Sequence, residues 1–340
     1  MGKALCEELV RGGETEAVLS VPARLGSELG LTAFASLDEW TAENFAVAKA
    51  LVFIGATGIA VRAVAPCLRD KFTDPAVVAV DEKGSFAVPL VSGHVGGANS
   101  LAREIAAICG GTAVISTATD VRELFAVDDW AARRGLAIDG RAAAKSISAV
   151  LLEGGTVGFY SEYPVRGAVP AGLTGLTVTK GGGALGFSVT HRSGIAPFEQ
   201  TLRLIPKVLS LGIGCRRGAE TVAIAGAVSE VLAEYGLDGR AVRAVHSIDL
   251  KANETGLIEF CGELGVPFTC YSAAELADTK GEFTASERVL RVTGVDNVCE
   301  RAALRGSDRG EIIVRKTIRN SVTVSVALDD YELEFERVIR

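Results

Sequence analysis

The chain has 340 residues, of which 48% are hydrophobic, and it carries a formal net charge of −7 at pH 7. That length allows a large buried core and predicts two domains with an intervening segment. The acidic balance and an aromatic content of 6% argue against a nucleic-acid partner, which needs clustered lysine and arginine and aromatic rings for base stacking.

The sequence also argues against a membrane or secreted protein and against disulfide or metal sites. No run approaches the roughly 18 consecutive apolar residues of a membrane helix, and the first residues lack a signal-peptide pattern, so we expect a cytoplasmic protein with no membrane partner. The seven cysteines form no CxxC pair, and the three histidines lie far apart in the sequence. We therefore expect neither a disulfide framework nor a metal site built by the protein.

The first third of the chain predicts a mixture of strands and helices. A helix is expected over Lys3–Arg11, and strands over Ala17–Val21 and Leu51–Ile54. The apolar runs Ala76–Val80 and Phe86–Val91 flank a short polar turn, as in a β-hairpin or two adjacent strands.

Polar loops rich in glycine or threonine follow three of the predicted strands. They occupy residues 55–58, 92–97 and 116–120, and the first two lead into predicted helices. Free backbone N–H groups and the positive end of a helix dipole suit such loops to an anionic ligand. If the strands are parallel, all three loops lie along one carboxyl edge of the sheet, where open α/β folds bind ligands. Alternatively, the glycines only make tight turns that let helices pack closely on the sheet.

The middle of the chain predicts two helices and then a β-rich segment. An amphipathic helix or connector is expected over 121–134, a helix over 142–153, and short strands from there to Pro206. Gly181–Gly186 formally matches GxGxxG, but the residues that follow are strand-like, whereas a dinucleotide fingerprint needs a helix there. We therefore predict a hairpin turn at these glycines.

The last third repeats the order of strand, polar loop and helix. The predicted strands Val208–Ile213 and Val242–Ile248 lead into the loops Gly214–Gly218 and Asp249–Gly256, and a helix follows each loop. The fold class predicted for the whole chain is α/β, with two α/β domains whose sheets are mainly parallel or mixed, joined by a β-rich middle segment. The predicted boundaries are residues 1–130, 131–206 and 207–340.

Seven runs of this sequence resemble one known family. They are 58–66, 74–78, 92–99, 117–120, 212–218, 247–254 and 293–300. These long, ordered motifs resemble the cobalamin-biosynthesis CbiG family of cobalt-precorrin 5A hydrolases, and the last third also resembles CobE, a separate protein of the corrinoid pathway. Because members of that family begin with a strand ahead of the first helix, we expect either that this strand is absent or that translation starts earlier than the sequence given.

The resemblance implies chemistry on a cobalt-corrinoid substrate in anaerobic cobalamin biosynthesis. Water opens the δ-lactone of cobalt-precorrin 5A, and a carbon fragment leaves as acetaldehyde to give cobalt-precorrin 5B. No cofactor is expected, since the cobalt arrives within the substrate. Two alternatives stay open, a non-catalytic corrinoid-binding protein and an enzyme that acts on another anionic metabolite. A homodimer, or transient contact with neighbouring pathway enzymes, is also open.

Lactone opening needs a base for water and positive groups for the substrate's carboxylates. His94 is the first candidate base, since imidazole titrates near neutral pH, and Asp120, Glu254 and Lys251 complete the catalytic candidates. Each has a structural alternative, such as a hydrogen bond to the backbone, a helix cap or an ion pair. The substrate-binding candidates lie in or beside the same loops and are Gly58, Arg62, Lys71, Ser92, Gly93, Gly96, Gly97, Asn99, Thr117, Thr119, Gly214, Arg216, Arg217, Asn253, Asn297 and Glu300.

Overall fold

A computed structural model describes residues 1–12, 16–70, 73–93, 96–116, 124–176 and 183–335. The chain divides into two units, residues 1–133 with 151–154, and residues 134–150 with 155–340. Both contain helices and strands, and the sheets are parallel or mixed. The predicted α/β class is therefore confirmed.

The helices and strands of the first unit are short. The helices are α1 (Gly2–Gly12), α2 (Ala23–Leu29), α3 (Leu37–Phe45), α4 (Thr57–Val64), α5 (Ala98–Cys109) and α6 (Val127–Arg133). The strands are β1 (Ser20–Pro22), β2 (Thr32–Phe34), β3 (Ala50–Ile54), β4 (Ala76–Val80), β5 (Phe86–Val91) and β6 (Thr112–Ala113). Strands β1 and β2 form a small parallel sheet of their own.

The main sheet of this unit has the order β3-β4-β5-β6 and contains one antiparallel pair. Strand β3 is parallel to β4, and β5 is parallel to β6, but β4 and β5 are antiparallel. The antiparallel pairing of β4 with β5 confirms the predicted hairpin. The turn of residues 81–85 is too short for the crossover that parallel strands need. The expectation of three loops at one edge is wrong for the same reason. The loop with Gly58 follows β3 and lies at the opposite edge from the glycine loop 92–97.

Strand β4 is the centre of the first unit's core. All five of its residues are buried, whereas a strand with one face in water would alternate between buried and exposed residues. Ala76, Val78 and Val80 pack with residues of α1 and α5 on one face. Val77 and Ala79 pack with residues of α3 and α4 on the other. A continuous run of alanine and valine therefore distinguishes this central strand in the sequence.

The second unit contains two larger sheets. Its helices are α7 (Arg141–Leu152), α8 (Thr221–Glu234), α9 (Thr255–Leu264), α10 (Ala273–Asp278), α11 (Glu287–Thr293) and α12 (Cys299–Gly306). Its strands are β7 (Ala137–Asp139), β8 (Val157–Ser161), β9 (Val165–Arg166), β10 (Leu173–Gly175), β11 (Leu185–Val189), β12 (Gln200–Ile205), β13 (Leu209–Cys215), β14 (Val242–Ile248), β15 (Phe268–Tyr271), β16 (Glu311–Arg319), β17 (Val322–Leu328) and β18 (Leu333–Glu334).

The middle sheet has the order β10-β8-β11-β12-β7. Its first four strands are parallel, and β7 runs antiparallel to β12. The strand predicted after the glycines 181–186 is confirmed as β11, while Gly181 and Gly182 themselves lie outside the described residues. The hairpin turn predicted there falls largely outside the described residues. Strands β10 and β11 do not pair with each other, and each pairs in parallel with β8.

The carboxy-terminal sheet has the order β15-β14-β13-β17-β16. Strands β13, β14 and β15 are parallel, and β17 is antiparallel to both β13 and β16. Helix α12 lies directly against β13, since a Cβ on Gly212 would come within 1.8 Å of the carbonyl oxygen of Cys299. Only glycine permits this approach. By strand alternation Leu211 and Ile213 point to the other face, and both are fully buried.

A charged network joins the middle sheet to the segment that follows α8. The Arg203 guanidinium on β12 donates to Asp139 and Asp238, each at 2.9 Å. Arg240 donates to the same two carboxylates at 2.9 and 2.8 Å. Burial alone would raise the pKa of Asp238, but the hydrogen bonds from Arg240 and Arg203 outweigh it and hold that pKa at about 2.

We expect Asp238→Asn to lower the free energy of unfolding at neutral pH by about 1 to 2 kcal/mol, because it removes the carboxylate that both guanidinium groups bind. The folded-state pKa of about 2 lies below the unfolded value, so the stabilisation is complete above about pH 4 and is lost as the pH falls towards 2. Urea unfolding across this range should therefore show the gap between wild type and variant closing on acidification.

Asp308→Asn is the control, since that carboxyl group is 71% exposed. It should leave the unfolding free energy unchanged at every pH. A gap for Asp238→Asn that stays constant from pH 7 to pH 2.5 would contradict the assigned role of the network.

Candidate functional site

The amino-terminal glycine loop has the predicted shape of strand, loop and helix. Ser92 has a φ of 55° and donates its hydroxyl to the carbonyl of Asp74 at 2.8 Å. The carbonyls of Ser92 and Gly93 accept the amides of Ala98 and Asn99 at 3.1 and 2.9 Å, which fixes the start of α5. Ser92 and Asn99 are both buried. The described part of this loop is therefore held by hydrogen bonds to Asp74 and to the first residues of α5.

Glycine is required at two places in this loop. A Cβ on Gly96 would lie 2.3 Å from that of Ser92, and Gly97 begins α5 with a φ of 84°. These glycines thus have a structural role, in addition to any contact with a ligand. The remaining candidates of this region, His94, Lys71, Thr117, Thr119 and Asp120, lie outside the described residues.

Gly58 and Arg62 belong to helix α4 at a different place. Gly58 is exposed, and a Cβ there would meet nothing within 4 Å. Arg62 is also exposed, in the last turn of the helix. Because the sheet contains an antiparallel pair, the start of α4 does not share an edge with Ser92 and Asn99.

The two carboxy-terminal loops lie side by side. Strands β13 and β14 are parallel neighbours, so the loops that follow them leave the same edge of the sheet. The Glu254 carboxylate bridges these loops, because it accepts the Gly218 amide at 2.6 Å and the Lys251 ammonium at 2.8 Å. The side chains of Lys251 and Glu254 are only 15% and 9% exposed.

The pKa of Glu254 is lowered, first by the hydrogen bond from Lys251 and then, against the opposing effect of burial, by the amide of Gly218. A carboxylate with a lowered pKa is a weak proton acceptor. Both of its oxygens are also engaged. This geometry suits Glu254 to holding two loops together, and it places Lys251 as its partner.

An open cleft of about 830 Å³ lies beside this bridge. Three predicted residues line it, namely Arg217, Asn253 and Glu254. Arg217 and its neighbour Arg216 are exposed. Gly214 lies deeper, where a Cβ would be 2.5 Å from the Thr323 hydroxyl.

The cleft also contains residues that the sequence motifs did not single out. Among them are Thr221, Val222, Leu250 and Glu259. The Thr221 hydroxyl donates to Glu259 at 2.6 Å, which links the first turn of α8 to α9. The available signal was a large apolar residue in the polar loop 249–256, namely Leu250.

The side chains of Asn297 and Glu300 make hydrogen bonds in the protein interior. Both are fully buried. The Glu300 carboxylate accepts the amide of Thr284 and the amide of Lys316, each at 2.7 Å. The side-chain oxygen of Asn297 accepts the amide of Glu300 at 2.8 Å and so caps helix α12. These two side chains hold the segment around Thr284 against α12.

The two histidines that the structure describes are both buried beside tyrosines. The Tyr163 hydroxyl lies 2.9 Å from Nδ1 of His191. Burial lowers the pKa of His191, and it lowers the pKa of His246 to about 4. Both imidazoles are buried and neither lines the cleft, so neither is a candidate base.

The described ranges contain neither a metal-binding cluster nor a membrane-spanning helix. Within them, no group of three or more histidine, cysteine, aspartate or glutamate side chains could hold a metal ion. The same ranges contain no helix that is long and apolar enough to cross a bilayer.

Three family models match consecutive parts of the chain. They are described as cobalamin synthesis G N-terminal, over residues 39–120, cobalamin biosynthesis central region, over 125–206, and cobalamin synthesis G C-terminus, over 209–327.

The cobalt-precorrin-5A hydrolase of Priestia megaterium is 35% identical over 300 residues, which are 84% of this chain and 79% of that protein. That of Salmonella typhimurium is 34% identical over 297 residues, covering 84% of each. Protein CobE of a Sinorhizobium species is 32% identical over 121 residues, which are 35% of this chain and 79% of that protein. The resemblance seen in the sequence is confirmed, and the chain belongs to the CbiG family of cobalt-precorrin-5A hydrolases, enzymes of cobalamin biosynthesis.

Proposed function

We propose that this chain opens the δ-lactone of cobalt-precorrin 5A with water, giving cobalt-precorrin 5B and acetaldehyde in the anaerobic synthesis of the corrin ring. One observation carries the proposal, the 35% identity to a cobalt-precorrin-5A hydrolase over 300 residues. That similarity extends over 84% of the chain, so it is not confined to the CobE-like last third. The substrate brings its own cobalt, and the protein needs no cofactor of its own.

The direct test is to incubate the purified protein with the lactone and to measure acetaldehyde. We expect one acetaldehyde for each lactone opened. A corrinoid-binding protein without activity would bind the substrate and release none. An enzyme for another anionic metabolite, such as a phosphosugar, would give no spectral change when titrated with a corrinoid.

In the proposed reaction, a base takes a proton from water while the water oxygen bonds to the lactone carbonyl carbon. The tetrahedral intermediate then expels the ring oxygen, so that a carboxylate and a hydroxyl are formed. The carbon that carries this hydroxyl leaves as acetaldehyde: the O–H proton is lost as the C=O bond forms, and the electron pair of its bond to the macrocycle passes to the ring system, which takes up a proton. His94 is our choice of base. The buried positions of His191 and His246 and the engaged oxygens of Glu254 support this choice.

The substrate's acetate and propionate carboxylates need guanidinium or ammonium partners. We propose that Arg216 and Arg217 supply them beside the cleft, on a loop that Glu254 fixes through the Gly218 amide. Lys251 contributes by holding Glu254 in place.

His94→Ala should lower kcat for lactone opening by about 10² to 10⁴, the usual contribution of a general base. KM should change little, because a general base acts on the reacting water and does not bind the carboxylates of the substrate. Acetaldehyde release under single-turnover conditions measures the step directly. A variant that still works at close to the wild-type rate would remove His94 from the mechanism.

The Glu254→Gln variant distinguishes a general base from a residue that only holds two loops together. We expect the pH profile of kcat to keep its shape, and KM to rise several-fold, because the loop carrying Arg216 and Arg217 loses its charged anchor. Glu263→Gln, an exposed change on helix α9, which Glu254 directly precedes, is the control and should behave as wild type. If Glu254 is instead the base, kcat will fall and the acidic limb of its pH profile will disappear.

Arg217→Gln should raise KM for the lactone roughly tenfold with little effect on kcat, as expected for the loss of one exposed carboxylate contact. The matched control is Arg309→Gln. That guanidinium is 78% exposed, beside the start of β16, at the opposite edge of the sheet from the cleft. Equal KM values for the two variants would show that Arg217 does not bind the substrate.

A further inference from the structure

We infer that Val222 and Leu250 form an apolar platform for the flat face of the substrate's macrocycle. This inference rests on the proposed function and names the part of the cleft that contacts the ring. Both side chains are large, apolar and strongly exposed, at 81% and 62%. Both line the cleft that Arg217 also lines.

Packing within the protein does not account for Val222. Helix α8 buries a stripe at helical spacing that consists of Ile224, Ala227, Val228, Val231 and Leu232. Val222 lies outside this stripe, in the first turn of the helix. Its exposure therefore leaves an apolar side chain at the mouth of the cleft with no core to join.

Leu250 is exceptional in its own loop. It stands between Asp249 and Lys251 in a single 3₁₀ turn, where polar residues are usual. A single exposed leucine needs no explanation. Two exposed apolar side chains from separate segments in one cleft are different, because ligand sites combine apolar walls with a few polar groups.

The size of the cleft favours a large ligand. Small-molecule sites enclose roughly 300 to 1,000 Å³, and the volume here, about 830 Å³, is near the upper end. A phosphosugar would leave most of this space filled with water. A tetrapyrrole-derived ring is wide and flat, and its apolar face would cover Val222 and Leu250 together.

The polar groups of the cleft complement the edge of such a ring. Arg217 and Asn253 offer donors for carboxylate arms. Three carboxylates also line the cleft. Glu254 and Glu259 already accept hydrogen bonds within the protein, from Gly218 and Lys251 and from Thr221, whereas Glu220 is exposed just before the first turn of α8. An apolar floor with donors beside it matches a ring whose charges lie on its periphery.

The test is a spectral titration with cobyrinic acid, a stable carboxylated corrinoid, and with its methyl ester. Val222→Ser and Leu250→Ser should each raise Kd about tenfold, equivalent to about 1.4 kcal/mol, since each removes an apolar side chain that the ring covers. The same increase should appear with the ester, which keeps the flat ring but lacks the charges. Arg217→Gln should weaken the binding of cobyrinic acid but not that of its methyl ester.

Val292→Ser and Leu290→Ser on helix α11 are the matched controls. Their side chains are 72% and 49% exposed, and neither lines the cleft. They should leave Kd unchanged. Because all four side chains are exposed, Tm should stay at the wild-type value, so a loss of binding by unfolding would be seen at once.

The possible results separate this inference from the proposed function. If Val222→Ser and Leu250→Ser both bind the probes with wild-type affinity, the platform is overturned. It is also overturned if the unmutated protein releases acetaldehyde from the lactone but binds neither probe. Protein that binds both probes through Val222 and Leu250, yet releases no acetaldehyde from the lactone, would contradict the proposed function and leave the platform standing. Absence of both binding and activity would overturn both.

Discussion

The parallel pairing of β13 with β14 determines where the chemical groups of the cleft lie. Parallel neighbours end at the same edge of a sheet, so the loops after them must start side by side. The Glu254 carboxylate then bridges the loops through the Gly218 amide and the Lys251 ammonium. Without this pairing, Arg217, Asn253 and Leu250 would have no reason to face one cleft.

The pairing itself depends on close packing beneath it. Helix α12 can lie against β13 only because residue 212 has no side chain. The Ser247 hydroxyl further ties β14 to the carbonyl of Ile213 at 2.7 Å. The edge that carries the cleft is therefore built on a rigid sheet, and the loops need to supply only the ligand contacts.

Local signals in the sequence were sufficient for individual elements. The spacing of Ser272 and Glu275 is that of a capping box, and both of its reciprocal hydrogen bonds are present at the start of α10. The short turn between β4 and β5 likewise dictated an antiparallel pair. The bridge from Glu254 to Gly218 joins residues 36 apart, and sequence patterns carry no information on such pairing. The insertion of β8 between β10 and β11 is hidden for the same reason.

The ion-pair network around Asp238 has a consequence for how this family can be divided into smaller proteins. Arg203 and Asp139 come from the middle sheet, whereas Asp238 and Arg240 follow α8. A relative reduced to the carboxy-terminal part would retain the acidic partner but lose one of its two guanidinium groups. Arg240 would still bind Asp238 there, at 2.9 and 2.8 Å, so the carboxylate would keep one cation while the pairs contributed by the middle sheet are lost.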